Sequence, residues 1–181
     1  LNLARGVLPN GACPSGVIDP AAVGNPTHAA ALGWMPNHFD SPAYLILLVY
    51  DYLQTKDDHT LLAERLHGRS LLEHLQACAH YLLNQDQDGD GLPEKAQNPN
   101  DWADNVLRYP WVTYDSALIY GAWQALARLD TAHADEWQAH AARLRTAANQ
   151  RLWLPEKGWF ADYARPGFVE DHLAADTLSA I

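Results

Sequence analysis

The sequence predicts an all-α protein built from helical hairpins. Apolar residues recur three or four positions apart over several long stretches, which is the spacing of a helix with one buried face. No window alternates apolar and polar residues with a period of two, as a half-buried strand would. The predicted connections also alternate between short and long, which is typical of stacked hairpins whose two ends differ.

The first predicted helix runs from Pro42 to about Thr55. Ser41 offers an N-cap, and proline suits the first helical turn. A second helix, capped by Asp57, is expected to continue to about Asn84.

Three more helices are expected further along the chain. Thr113 or Asp115 caps the third helix, and Thr131 caps the fourth. A fifth begins near Glu170, where a negative charge favours the helix dipole. The stretch 4–40, rich in Pro, Gly and Asn, is interpreted as ordered loop.

The long predicted connections, 84–113 and 153–169, leave the same end of the hairpins. The short ones, 55–57 and 130–132, close the other end. Functional residues concentrate on elaborate loops that a rigid scaffold positions. We therefore expect the site at the end that carries 84–113.

Charge restricts the possible partners. Twelve basic and twenty-two acidic residues give a net charge of −10. Nucleic acid and anionic membranes would repel such a chain, so neither is expected as a partner. A neutral, cationic or metal-chelated ligand is compatible with this balance, and the composition alone requires no ligand.

Cys13 and Cys78 are interpreted as unpaired thiols, with Cys78 packed on a helix as a small hydrophobe. This usage suits a reducing compartment and leads to a cytoplasmic expectation. The most apolar run, 43–50, is broken by Asp51, and the start shows no long apolar signal segment. Residues 1–181 are expected to be a single-domain fragment, because both ends lie within apolar patterns.

The turn 86–94 resembles the first half of a calcium-binding loop. Alternate carboxylates converge on a hard cation, and Gly91 permits the sharp turn. The predicted ligands are the side chains of Asp86, Asp88 and Asp90, the carbonyl of Leu92 and, through water, Glu94. A complete loop would place a Glu where Gln97 stands, so any further ligand comes from elsewhere. The alternative is a solvated turn without metal.

The loop "NPNDWADN", 98–105, carries two acids around an indole. Paired carboxylates can cleave a glycosidic bond, one protonating the leaving oxygen and the other activating water. Asp101 and Asp104 are too close in sequence to flank a sugar ring, so at most one is catalytic. Trp102, Tyr109 and Trp111 could stack on sugar faces, and Arg108 could contact hydroxyls. The alternative is that Asp101 caps a turn and the aromatics close a core edge.

The stretch "DGDGLPEKAQNPNDWADNVLRYPWVTYDSALIYGAWQALARL" resembles the (α/α)6-toroid glycoside hydrolases. Within them it is most similar to the trehalase, processing-glucosidase, mannosylglycerate-hydrolase and glycogen-debrancher C-terminal group. The spacing D-N-x-x-R of Asp104, Asn105 and Arg108 is similar to the mannosylglycerate-hydrolase motif, although Val106 and Leu107 replace its Ser and Pro. "GVLPN" and "HFDSPAYLILLVYDYLQTKDD" resemble the opening of the same group.

The resemblance implies an inverting glycosidase acting on an α-glucoside or α-mannoside. Asp104 takes the place of the general acid, with Asp101 as the weaker alternative. Residues implied to hold the sugar are Asp40, Trp102, Asn105, Arg108 and Trp111. The resemblance also implies a structural Ca²⁺ at the turn 86–94 and no catalytic cofactor.

The chain is expected to contain about the central half of the toroid, so its partner is the missing remainder or another copy. The general base of the group lies late in the toroid, and neither Glu156 nor Glu170 is assigned to it. Two other interpretations stay open. One is a non-catalytic, calcium-dependent interaction module. The other is a toroid lyase or epimerase using Tyr114 and His38.

Overall fold

The computed structural model describes residues 1–16, 38–103 and 105–180, with side chains as far as residue 178. Helices form most of its regular structure. They are α1 (Ser41–Lys56), α2 (Leu71–Leu83), α3 (Thr113–Leu129) and α4 (Ala134–Arg151). Within the described ranges, every helix is too short or too polar to cross a membrane.

Seven short strands accompany the helices in the described part of the chain, so the all-α prediction is only partly correct. They are β1 (Arg65–Leu66), β2 (Arg69–Ser70), β3 (Trp111–Val112), β4 (Trp153–Leu154), β5 (Trp159–Phe160), β6 (Tyr163–Arg165) and β7 (Phe168–Glu170). β1 pairs with β2 and β4 with β5, while β3, β6 and β7 form a three-stranded sheet in that order, all antiparallel. Strands of two or three residues are too short to show an alternating pattern in sequence.

Helix α1 matches its predicted bounds closely. Its buried face includes Leu45, Ile46, Val49 and Leu53. Asp57 follows in a left-handed conformation (φ 52°), and its N–H donates to the Leu53 carbonyl. Asp57 therefore ends α1 and does not cap a second helix.

The predicted helix from Asp57 was wrong over its first half. A 3-10 helix (His59–Ala63) and the β1–β2 hairpin occupy this stretch, with φ positive at Gly68 in the turn. Helix α2 begins only after Ser70. The Ser70 Oγ accepts from the Glu73 N–H, and a Glu73 carboxylate oxygen accepts from the Ser70 N–H. This capping box fixes the start of α2.

Corrections also apply to the starts of the later helices. The N-cap of α3 is Val112, and Thr113 Oγ1 instead donates to the Ala161 carbonyl. A 3-10 helix, Thr131–His133, precedes α4. The helix predicted near Glu170 was wrong, because that residue ends β7 and a 3-10 helix follows at Ala175–Ala180.

Helix α3 lies at the centre of the packing, in contact with α1, α2 and α4. The indoles of Trp123 and Trp137 are buried in the core. Beyond the C-terminus of α3, Asp130 accepts hydrogen bonds from Gln76 Nε2 and Trp137 Nε1. Its carboxylate thereby joins α2 to α4.

The N-terminal ends of α1 and α3 lie side by side. The Tyr44 and Tyr114 hydroxyls, one from each helix, are 2.6 Å apart. The long connection 84–110 and the segment after α4 reach this end, because Trp102 and Arg108 both contact Asp176. The long connection 84–110 and the segment after α4 therefore meet at the end of the helices that was predicted to carry the long loops.

Candidate active site

Asp40 ties the loop 98–108 to the two helix ends. One carboxylate oxygen, Oδ2, accepts from the Trp102 backbone N–H at 3.0 Å and from the Tyr114 hydroxyl at 3.3 Å. The other lies 2.5 Å from His38 Nδ1. Asp40 and His38 are both buried. This carboxylate sits below the surface, and its predicted contact with a sugar stays a prediction.

Arg108 joins three carboxylates from distant parts of the chain. Its Nη1 donates to Asp162 Oδ1 at 3.0 Å and to Asp176 Oδ2 at 2.5 Å, and Nη2 donates to Asp101 Oδ2 at 3.2 Å. Burial acts to lower the pKa of Arg108, but the hydrogen bond to Asp176 and the charges of the three acids raise it overall. Only 3% of the Arg108 surface is exposed, so its side chain is better placed to hold the loop 98–108 in position than to contact a ligand.

Asp101 lies at the bottom of the loop, with no exposed surface. Its Oδ1 accepts from the Ala103 N–H, and its Oδ2 lies 3.5 Å from Lys95 Nζ. The same ammonium donates to the carbonyls of Asn98 and Arg108 at 2.8 and 2.9 Å. The buried Lys95 ammonium thus connects the two ends of the loop 98–108 through the carbonyls of Asn98 and Arg108. Nothing in the sequence distinguished this lysine from a solvated one.

Asp115, in the first turn of α3, is a second acid that sequence reasoning did not assign to the site. Its side chain is buried, and neither carboxyl oxygen has a hydrogen-bond partner among the residues that the structure describes. Burial, followed by the charges of Asp101 and Asp40, raises its pKa well above the usual range, against the opposing effect of Lys95 and Arg108. Asp115 therefore holds a proton far more tightly than an exposed aspartate does.

Acids outnumber cations in this region. The carboxyl groups belong to Asp40, Asp101, Asp115, Asp162 and Asp176, and we call these five residues the acidic cluster. Among the described residues, the permanently charged side chains that contact it are Arg108 and Lys95, and the imidazoles of His38 and His172 lie beside Asp40 and Asp162. Burial is the largest cause of the raised pKa of Asp115 and of Asp162, and neighbouring carboxylates raise both further. The cluster is suited to proton transfer.

Trp102 is the exposed aromatic of the loop. Slightly more than half of its surface (54%) is open to solvent. The ring is nevertheless fixed, since Nε1 donates to Asp176 Oδ2 at 3.1 Å and the ring meets Tyr114 edge-on. An apolar face held beside buried acids is an arrangement that can stack on a sugar ring.

The other predicted site residues lie in different surroundings. Trp111 is buried and stacks against Arg151, whose Cζ is 3.7 Å from the ring centroid, so it lies beneath the surface. Asn105 is exposed on the loop. Asp104, the predicted acid, lies outside the described residues, and its role stays a prediction.

The turn 86–92 has the internal hydrogen bonds of a cation-binding loop. Asp86 Oδ2 accepts from Gly91 N–H, Asp88 Oδ1 from Asp90 N–H, and Asp90 Oδ1 from Leu92 N–H. Ligand oxygens of the three aspartates lie within 4.8 Å of one another. Asp86 Oδ1 is buried and, within the described ranges, has no hydrogen-bond partner. The donor set is all oxygen, which fits Ca²⁺.

Two arginines from α4 also approach this turn. Arg151 Nη2 pairs with Asp90 Oδ2, and Arg143 Nη2 lies 3.5 Å from Asp86 Oδ2. Glu94 Oε2 accepts from the Gln87 N–H. Neither of these two arginines pairs with Asp88. Arg151 also stacks on Trp111, which lies in β3 just before α3, and so connects the turn to the candidate site.

The sequence matches no family model, and no curated protein is similar enough to count as a relative. Among solved structures, the chain is similar to a rhamnosidase from Klebsiella oxytoca with rhamnose bound. The TM-score is 0.60 at 16% identity, over 78% of this chain. The chain spans about a quarter (26%) of that structure's length. At this identity the likeness shows a fold shared with a part of that structure.

Proposed function

We propose that the chain is part of the catalytic domain of an inverting glycoside hydrolase built on an (α/α)6 toroid. The observation that carries this proposal is the juxtaposition of Trp102 with the acidic cluster. An exposed indole, held by its Nε1 hydrogen bond to Asp176 and its edge contact with Tyr114, stands beside the acidic cluster, in which the pKa values of Asp115 and Asp162 are raised. Sugar recognition needs the first feature, and protonation of a leaving oxygen needs the second.

Asp104 is our candidate for the general acid. It lies two residues after Trp102 and heads the D-N-x-x-R spacing that resembles the mannosylglycerate-hydrolase motif. In the proposed reaction its carboxyl proton passes to the glycosidic oxygen as the bond to the anomeric carbon breaks. A water, deprotonated by a Glu outside these 181 residues, attacks the opposite face of that carbon, which inverts its configuration.

Asp101 is the less suitable acid on physical grounds. Its oxygens accept from Ala103 N–H and Arg108 Nη2, and Lys95 is close by. With both oxygens engaged inside the protein and no exposed surface, its carboxyl group is out of reach of a glycosidic oxygen. We assign Asp101 and Arg108 to positioning the loop.

The proposed substrate class is an α-glucoside or α-mannoside, on the resemblance described above. The rhamnose bound by the structural neighbour adds α-rhamnosides to the sugars worth testing. A lyase or epimerase is less favoured, because the Tyr114 hydroxyl and the His38 imidazole are buried and already engaged by Asp40.

The proposed calcium ion is structural. Asp86, Asp88 and Asp90 would hold it, with the Leu92 carbonyl and, through water, Glu94. The unpartnered Asp86 Oδ1 and the spacing of the oxygens support it. It would stiffen the turn from which the loop 98–108 departs. This calcium would take no part in the chemistry.

The partner we propose for the chain is the rest of a toroid, as further helices or a second copy. An apolar stripe on α1 supports it: Tyr44, Leu48 and Tyr52 recur every fourth residue and are all exposed. A neighbouring helix would cover such a stripe.

The test of the proposed function is hydrolysis of a panel of α-glucosides, α-mannosides and α-rhamnosides by the full-length protein. We expect turnover of at least one member. Absence of turnover with all three sugar classes would contradict the proposed function and favour a calcium-dependent interaction module.

A further inference from the structure

Cys13 and Cys78, far apart in sequence, meet inside the core. Both are fully buried and both are free thiols. The hydrogen bond between the two thiols, followed by burial, raises the pKa of Cys78 well above its usual range. Both thiols are free in this structure, as the sequence leads us to expect, but they are not separate in space.

The contact follows from how the N-terminal segment lies on α2. Gly11 has a φ of +91°, and a Cβ built on it would stand 1.9 Å from the Ala77 carbonyl oxygen. Only glycine allows this approach, which sets the backbone against the residue that precedes Cys78. Two residues later, Cys13 also pairs through its backbone with His38. The backbone around Cys13 is thus fixed against α2 on one side and against His38 on the other.

We propose that Cys13 and Cys78 are a disulfide-forming pair that cross-links the N-terminal segment to α2. The oxidant is a low-molecular-weight disulfide such as glutathione disulfide. One cysteine thiolate attacks a sulfur of the oxidant and releases one glutathione thiolate. The second thiolate attacks the protein sulfur of the mixed disulfide and releases the other glutathione. The two cysteines lose two electrons and two protons, and one glutathione disulfide becomes two glutathione thiols.

The two thiols are oxidised during folding and not in the native protein. Buried thiols that hold their protons tightly are poor nucleophiles, so the native protein resists oxidation. In the unfolded chain both thiols are accessible. Folding then brings them together before the core closes. A cross-link over the long loop from 13 to 78 restricts the unfolded chain and stabilises the native state.

The cross-link would also anchor one side of the candidate site. Cys13 pairs with His38, whose Nδ1 contacts Asp40, and Asp40 accepts from the Trp102 N–H. The proposal does not rest on glycosidase activity, because it concerns the protein's thiols alone.

The experiment is to unfold the full-length protein and refold it in parallel, in a glutathione disulfide/glutathione buffer and in excess dithiothreitol. Both samples are then alkylated in denaturant, digested and analysed by mass spectrometry. We expect a disulfide-linked pair of the Cys13 and Cys78 peptides, lighter by about 2 Da than the two thiol peptides, in the oxidised sample only. We also expect the Tm of the oxidised protein to be higher by roughly 5–15 °C and to fall back after reduction.

Cys13→Ala and Cys78→Ala are the matched controls, and neither should show a Tm that depends on reductant. Full alkylation of both thiols after oxidative refolding would overturn the proposal, as would a glutathione adduct on one cysteine without the cross-link. Because the peptide analysis uses the wild type, the test does not depend on the variants folding.

Discussion

The Trp102 indole donates from Nε1 to Asp176 Oδ2 at 3.1 Å, across 74 positions of sequence. The same Asp176 oxygen accepts from Arg108 Nη1. Burial is the largest single effect on Asp176 and acts to raise its pKa, but the hydrogen bond and charge of Arg108, together with the hydrogen bond from Trp102, outweigh burial and lower the pKa overall. The exposed ring is therefore oriented by an ionised carboxylate.

Trp102→Phe keeps an aromatic face but removes the donor to Asp176. We expect a KM for the hydrolysed glycoside about 3–10 times higher, since the ring loses its fixed orientation, and a larger rise for Trp102→Ala. Steady-state kinetics measure both. Trp153→Phe, at a partly exposed indole on β4, is the control and should leave KM unchanged. Equal KM values for Trp102→Ala and wild type would exclude the ring from substrate binding.

Arg108→Lys retains the charge but not the fork that reaches three carboxylates. We expect a loss of about 2–4 kcal/mol in the free energy of unfolding, because buried acids lose their partners. Denaturant titration measures this loss. Arg145→Lys, on the exposed face of α4, should change stability by less than about 0.5 kcal/mol. A loss for Arg108→Lys as small as that of the control would show that the ion pairs do not hold the loop.

Asp115→Asn tests the buried, protonated acid. The pKa of Asp115 is raised in the folded state and lies near 3.8 in the unfolded chain. Its stabilising contribution is therefore fully present below about pH 4 and is lost as the pH rises through the folded pKa. Asn cannot ionise and resembles the neutral acid in shape. We expect the variant's free energy of unfolding to decline less with rising pH than that of wild type.

Denaturant titrations at a series of pH values above 4 give the measurement for Asp115. The groups that face it, Asp101, Asp40, Lys95 and Arg108, are unchanged in the variant. Asp135→Asn, an exposed acid on α4, is the control and should follow the wild-type curve. Parallel curves for Asp115→Asn and wild type would mean that Asp115 does not titrate in this way.

Calcium is expected to stabilise the protein through the turn 86–94. Adding Ca²⁺ to chelator-treated protein should raise its Tm by several degrees, because binding to the folded state alone shifts the unfolding equilibrium. Asp88→Asn should remove most of this rise and Asp135→Asn none of it. The same Tm in calcium and in chelator would identify 86–94 as a metal-free turn closed by Arg143 and Arg151.

The sequence predicted α1 well, because its apolar spacing and Ser-Pro start point to one answer. It failed at the start of α2, although S-x-x-E at 70–73 is a readable capping box. Asp57 was interpreted as the N-cap of the second helix, so the start of that helix was placed too early and the capping box at 70–73 was overlooked. The short strands were missed since two or three residues cannot display a period.

The loop 98–108 was predicted as the site from its own residues, and the structure pairs Asp101 with Arg108 there, a contact that the sequence did not predict. The acids that complete the cluster come from elsewhere. Asp162 and Asp176 reach Arg108 only through the sheet and the 3-10 helix after α4, and Asp115 was interpreted as a possible cap. Such contacts depend on tertiary packing, which local patterns do not encode.

The central claim is that an acid in this loop protonates a sugar oxygen. The most direct measurement compares wild type with Asp104→Asn in the full-length protein, on an unactivated glycoside and on the matching glycosyl fluoride, with the product anomer followed by NMR. We predict an inverted product. We also predict a kcat lowered by about 10²–10⁴ on the unactivated glycoside, and a much smaller loss on the fluoride, whose leaving group needs no proton. Undiminished turnover of the unactivated glycoside by Asp104→Asn would contradict the account.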